Sequence, residues 1–351
     1  MSTHHKPRGE REQLELFRAL PGDLAPRDAQ DLMAYPFFSL AKTHRTRPIN
    51  YQLNAVTIRV EAVAEHGMAT IWDADVLIWA ASQIVQARDA GLRTSRLMAA
   101  TPYEILTFIG RGVSVRDYHR LKAALDRLQS TTVATSLRQQ SERRMHRFSW
   151  INEWTERVDA NGRADGIDLI VPDWFYRAVM DDALVLTIDR QYFALTGGLE
   201  RWLYRLVRKH AGRQPAGWRF EFHHLYVKSA SLSPFKRFAF ELRAIAVRQP
   251  LPGYRLSVDR DRHGHERLHF AIDRLSTAGC GQGVKADGLS GTRLHGPSGT
   301  AAPCYQEPQA SCSVAKSNAS SLRNLDSNLR ESNDSVVEAG AILCRHEDDA
   351  P

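Results

Sequence analysis

The sequence predicts an α+β chain: two units of one plan in tandem, followed by a disordered C-terminal tail. Three observations carry this. One order of elements (helix, helix, basic helix, β-hairpin) occurs twice between residues 41 and 273. Each basic helix has an apolar stripe at i, i+3 and i+4 spacing, which buries one face and leaves the other for solvent. From Arg274 onward the chain is rich in Ser, Gly, Asn and Ala, with too few large apolar residues to offset the entropy of ordering. Helix, helix, basic helix, hairpin is the order of a winged helix-turn-helix. The expected boundaries are a partly ordered lead at 1–40, a first winged-helix domain at 41–182, a second at 183–273 and the tail at 274–351.

In the first unit, Ile58 and Val60 alternate with Arg59 and Glu61 as in a half-buried strand. Asp73 stands as N-cap before a helix carrying Val76, Leu77, Trp79, Ala80 and Ile84. Thr101 opens a short helix through Ile105 and Ile109, which Gly110 and Gly112 end. Ser114 starts the basic helix, with Asp117 three residues later in a capping-box arrangement. Its expected buried stripe is Val115, Tyr118, Leu121, Leu125 and Leu128. Alternation from Arg147 to Trp154, and again at Ile167, Leu169 and Val171, predicts the hairpin around the turn-rich loop Asp159–Gly166.

In the second unit, Leu199, Trp202, Leu203 and Leu206 give an amphipathic helix. A short extended piece at Trp218–Phe222 and a helix through Leu225 and Val227 follow. Ser233 and Pro234 suit the N-cap and first position of the basic helix, with a stripe of Phe235, Phe238, Leu242 and Ile245. Pro250 and Pro252 end it. Leu256 and Val258, then Leu268, Phe270 and Ile272, alternate on either side of the loop Asp259–His265.

The 351 residues carry a net charge of +7. Residues 1–273 hold 40 Lys/Arg against 31 Asp/Glu, so the part expected to fold carries the excess. A basic balance favours a polyanionic partner. On the helix after Ser114, a rotation of about 100° per residue groups Arg116, Arg120 and Arg127 away from the apolar stripe. Such a face can reach phosphates and base edges, and arginine can donate two bonds to guanine. A solvated face, softened by Asp117 and Asp126, is the competing reading. Residues 199–248 are more one-sided, with eleven Lys/Arg against three Glu. There Arg201, Arg205, Arg208 and Lys209 line one helix face, and Lys236, Arg237 and Arg243 belong to the next basic helix. Ordinary solvated faces mix signs, so this excess points to a phosphate backbone.

Several chemistries lack their signatures. No G-x-x-x-x-G-K-[ST] occurs, so no P-loop nucleotide site is expected. His263-Gly264-His265 falls in a hairpin loop and reads as a solvated turn rather than a metal site. His223 and His224 point to different sides of a helix. Cys280, Cys304, Cys312 and Cys344 all lie in the tail without a CxxC pair, which argues against zinc. No enzymatic activity, cofactor or metal is expected. No run of about 18 apolar residues exists, and the polar N-terminus lacks a signal-peptide core, so a cytoplasmic chain with no membrane partner is expected.

The run Leu195-Thr-Gly-Gly-Leu-Glu-Arg-Trp-Leu-Tyr-Arg-Leu-Val-Arg-Lys-His-Ala-Gly212, with Gly217-Trp218-Arg-Phe220, resembles the plasmid replication initiator protein A family. Tyr226-Val-Lys-Ser229, Phe235-Lys-Arg-Phe-Ala-Phe-Glu-Leu-Arg243, Leu251-Pro-Gly-Tyr254, Pro36-Phe-Phe-Ser-Leu-Ala-Lys42 and Ile71-Trp-Asp-Ala-Asp75 extend the resemblance over residues 30–273. It implies tandem winged-helix domains that bind repeated sites (iterons) at a plasmid origin, promote origin opening, and recruit the host initiator and the replicative helicase. Self-association as a homodimer is compatible with it. One departure is Ser229-Ala230-Ser231, where a glycine is expected in the middle. A winged-helix transcriptional regulator and, from another class, a DNA-nicking relaxase are the alternatives.

Overall fold

The computed structural model describes residues 11, 14–139, 144–161, 164–211, 214 and 216–273. The tail expected at 274–351, with all four cysteines, lies outside the described residues. Thirteen strands and eight α-helices are described. The chain begins with β1 (Phe17–Arg18), β2 (Arg27–Ala29) and α1 (Gln30–Ala34), then β3 (Ile49–Leu53) and β4 (Val56–Glu61). The first repeat follows: α2 (Ala74–Asp89), β5 (Leu97–Ala100), α3 (Pro102–Phe108), α4 (Val115–Ser130), β6 (Thr132–Thr135), β7 (His146–Ser149), β8 (Glu153–Val158) and β9 (Ala164–Ile170). After α5 (Asp173–Met180) and β10 (Val185–Thr187) comes the second: α6 (Gly198–Ala211), β11 (Trp218–Glu221), α7 (Phe222–Ser229), α8 (Phe235–Arg248), β12 (Tyr254–Arg260) and β13 (Glu266–Ile272).

Both repeats share their strand pairing as well as their order. In the first, β5 pairs with β9, and β9 with β8; in the second, β11 pairs with β13, and β13 with β12. All four pairings are antiparallel. The first repeat differs by an insertion: β6 and β7 leave it to join the β3–β4 hairpin in a sheet ordered β3-β4-β6-β7. The segment Arg147–Trp154, expected as one strand, is therefore two strands in two sheets. Trp150 and Ile151 are consecutive and both fully buried, which breaks the alternation where the chain crosses between sheets.

The helix starts follow the capping chemistry. Thr101 and Ser114 each accept from the backbone N–H three residues on, and Glu104 and Asp117 return the bond. Asp73 holds the cap position of α2, yet its carboxylate instead accepts from the Thr70 backbone and hydroxyl. The basic helix α8 begins one residue later than expected, with Pro234 as its N-cap and no side-chain cap. Val115 and Phe235, expected in the buried stripes, are 71% and 41% exposed. Each is the first residue of its helix, and packing begins about one turn further on, at partly buried Tyr118 and at Phe238.

Residues 1–40, expected as a lead, enter the core from Phe17 onward. Leu32, Met33, Phe37 and Phe38 are buried with the rest of one continuous apolar cluster. Helix α2 needs this cover, because it is buried almost all round and carries Ser82 and Gln83 inward. Their side chains accept from the backbone N–H groups of Arg27 (2.8 Å) and Leu20 (2.7 Å). β10 lies beyond the boundary expected at residue 183 but pairs with β2. The core runs without interruption from Phe17 to Phe270, and both repeats belong to one compact unit.

Candidate nucleic-acid interface

Helix α6 was expected to present Arg201, Arg205 and Arg208 to a phosphate backbone. Arg201 and Arg205 are instead 0% and 1% exposed. Arg201 donates to both carboxylate oxygens of Asp75 (2.7 and 2.9 Å) and to the carbonyls of Leu195 and Phe193 (2.7 and 2.8 Å). Arg205 grips Asp28 through two bonds, at 2.7 and 3.0 Å. Asp75 belongs to α2 and Asp28 to β2, so both guanidiniums point into the first part of the chain. A buried charge is tolerated only when paired and hydrogen-bonded, and both are. Burial pushes Asp75 up to about 6, against the opposing pull of Arg201 and Arg111. Burial likewise raises Asp28, with Arg205 opposing.

The remaining cations of α6 are also committed. Arg208 is half-buried and donates to the Thr187 carbonyl at 2.7 Å. Lys209 stands 5.7 Å above the Tyr35 ring. His210 packs against Trp218 and Phe220, and burial lowers its pKa to about 3, so it is neutral at physiological pH. The basic stripe of α6 is thus a seam with the rest of the fold.

On α4, Arg127 is half-buried and makes two 2.7 Å bonds to Asp73. Arg116 and Arg120 remain exposed, and Arg120 reaches Asp117 at 3.3 Å. Lys122 pairs with Glu156 of the neighbouring strand at 2.8 Å. From Glu153 to Ile170 the sequence holds five acidic residues (Glu153, Glu156, Asp159, Asp165 and Asp168) against Arg157 and Arg163. The hairpin beside α4 is therefore acidic.

Helix α8 differs. Lys236, Arg237 and Arg243 are all exposed. Arg237 reaches Glu241 at 3.1 Å, and Arg243 forks onto Glu266 of β13 at 2.6 and 2.9 Å. The adjoining hairpin adds Arg255, Arg260 and Arg262, all exposed. Exposed Lys236, Arg237 and Arg243 thus lie on α8, and the turn of the adjoining hairpin adds Arg260 and Arg262, which the sequence reading passed over, while Arg255 pairs with Asp273 at 3.6 Å. Arg260 and Arg262 sit in the loop the alternation had located; their value lay in that position, flanking a turn. Phe240 was also missed, and its aromatic ring is 67% exposed in the middle of α8.

The turn into α8 carries the expected departure. Ala230 has φ +46° and ψ +36°, the left-handed conformation that glycine adopts most readily. Arg45 holds it in place by donating to the Ala230 carbonyl at 3.1 Å. Gly198, at the start of α6, meets another constraint. A Cβ there would lie 1.9 Å from the Leu40 carbonyl oxygen, so this close approach requires glycine.

In the β12–β13 turn, the backbone N–H groups of His263 and His265 donate to Asp261 at 2.8 and 2.9 Å. Glu221, Asp261 and His265 bring potential ligand atoms within 4.8 Å of one another. Asp261 is already engaged in holding the turn, which accounts for the cluster without an ion. No helix among the described residues is long and apolar enough to cross a membrane.

Comparison with known proteins agrees with this architecture. The family model of replication initiator protein A matches residues 27–256. A protein of Wigglesworthia glossinidia brevipalpis named "Putative replication protein" is 29% identical over 228 residues, covering 64% of this chain and 82% of its own. Among solved structures, the crystal structure of domains 2 and 3 of RctB is similar with a TM-score of 0.51 and 16% identity. That similarity spans 67% of this chain and 95% of the RctB chain, and at such identity it bears on the fold alone. With most of its described residues inside the family match, the chain belongs to the replication initiator protein A family.

Proposed function

We propose that this chain initiates plasmid replication by binding repeated duplex sites at the origin, and that its second repeat supplies the main grip. Both repeats are read as winged-helix units, on the strength of their shared order and strand pairing. In that reading α8 enters the major groove, and the β12–β13 hairpin is the wing that lies along phosphates. The observation that carries it is the exposed cations on two adjoining elements, Lys236, Arg237 and Arg243 on α8 and Arg260 and Arg262 at the hairpin turn. Cations so placed release counterions from DNA, and the N-terminal turns of a recognition helix approach base edges. Origin opening, recruitment of the host initiator and the replicative helicase, and homodimer formation belong to the same proposal, by resemblance to the family.

Footprinting on the DNA next to the gene tests it. The expected result is protection of repeated sites, with log affinity falling steeply against log salt. A flat salt dependence, or no shifted origin DNA at low salt, would contradict it.

A further inference from the structure

Helix α8 exposes more than charge. At about 100° per residue, Lys236, Phe240, Ala244 and Val247 share the face opposite Phe238, Leu242 and Ile245. Phe240 is 67% exposed and Val247 83%, while Ala244 is half-buried between them. Two ion pairs border the face: Arg243 with Glu266 on the hairpin side, and Arg248 with Glu200 at 2.5 Å on the α6 side. An aromatic ring held out in water between two ion pairs, at a cleft also lined by Glu200 and Glu241, has no role in this fold's core. With Ala244 and Val247 it forms a small contiguous apolar face open to a partner.

From this we infer that α8 reads thymine: Phe240, with Ala244 one turn on, contacts thymine C5-methyl groups in the major groove. The inference rests on α8 being the DNA-facing helix. Among the base edges in that groove only thymine offers an apolar group, and phenylalanine and alanine are side chains that meet it. Charge complementarity selects the occupant. Lys236 and Arg237 precede Phe240 by one turn, and Arg255, Arg260 and Arg262 stand on the adjoining hairpin. A protein partner for an exposed phenylalanine would more naturally meet a neutral rim. The recognised repeats therefore contain thymine at one or two positions that no arginine or lysine reads.

Uracil lacks only the methyl group, so it separates apolar contact from hydrogen bonding. Sites are first selected from random duplexes with the full chain, and each thymine is then replaced singly by uracil. The expected result is a threefold to tenfold loss at one or two thymines per repeat. Phe240→Ala, whose exposed position leaves the thermal midpoint unchanged, loses affinity by a similar factor on the thymine site and shows no further loss with uracil. If uracil costs nothing at any position, or costs Phe240→Ala as much as the parent, thymine reading is refuted. Lys236→Ala and Arg237→Ala distinguish the two failures. If they weaken binding while uracil does not, only the thymine assignment falls. If neither weakens it, α8 does not face DNA and the functional reading falls too. Unchanged DNA binding by Phe240→Ala together with lost self-association would make this face a protein interface and overturn the inference.

Discussion

The two repeats follow one plan and differ in the charge balance beside their basic helices. In the first, α4 lies beside an acidic hairpin, and Arg120, Lys122 and Arg127 meet Asp117, Glu156 and Asp73. In the second, Arg237 and Arg243 of α8 also meet Glu241 and Glu266, but the adjoining hairpin balances Arg255, Arg260, Arg262 and Arg267 against Asp259, Asp261, Glu266 and Asp273, with Arg260 and Arg262 exposed at its turn. The first helix of each repeat differs too. α2 contributes the buried acid Asp75; α6 contributes the buried bases Arg201 and Arg205. The repeats are thus complementary where they meet and unlike where they face solvent. A stripe of arginines on a helix is ambiguous in sequence, because it can seek phosphates outside or carboxylates within.

That contrast can be broken most forcefully at the seam. Arg201→Ala leaves Asp75 without its main partner in the interior, and losing one member of such a pair costs about 3–5 kcal/mol. Chemical denaturation should show a loss of that order, whereas Arg116→Ala on the exposed face of α4 should change stability by under about 0.5 kcal/mol. Equal effects would mean that α6 does not pack as described.

Acid offers a smaller, signed test of how α6 packs on the sheet of its own repeat. His210 has a folded pKa near 3 against an ordinary 6.5. The unfolded chain therefore binds the proton first, and stability present above pH 6.5 is lost as pH falls toward 3. Between pH 6.5 and 5 the loss from this residue should be about 1–2 kcal/mol. His210→Phe should flatten that part of the stability–pH curve; an unchanged slope would show that His210 is accessible to protons in the folded state.

The smallest expected effect sharpens the turn before α8. Ala230→Gly relieves a left-handed alanine, which costs about 1–2 kcal/mol, but adds freedom to the unfolded chain. The net expectation is a gain of about 0.5–1 kcal/mol in thermal or chemical unfolding. A loss would mean that the methyl group packs usefully.

Much of the fold was legible because its signals are local. The capping boxes at Thr101 and Ser114, and the stripes Leu121–Leu128 and Phe238–Ile245, depend on residues within one or two turns. What was illegible depends on distant partners. Asp28 and Arg205 are separated by 177 positions, Asp75 and Arg201 by 126. Nothing local marks them as a pair, although Trp202, Leu203, Tyr204, Leu206 and Val207 leave α6 no free face for its arginines. The crossing at Trp150–Ile151 and the pairing of β10 with β2 are hidden for the same reason. At the candidate interface, Lys236 and Arg237 stood out by charge, whereas Phe240 was marked only by its phase, opposite the stripe of Phe238, Leu242 and Ile245.

In the proposed function the second repeat, not the first, dominates the grip on DNA. The most direct test is equilibrium binding to selected and random duplexes at one salt concentration, with two double variants. Lys236→Ala with Arg237→Ala should weaken the selected site by about 1–3 kcal/mol per base-reading side chain, relax preference at one or two bases, and leave the thermal midpoint unchanged. Arg116→Ala with Arg120→Ala should weaken both duplexes less, and by similar factors. If the first-repeat pair instead abolishes discrimination while the second-repeat pair leaves it intact, the roles of the two repeats are reversed.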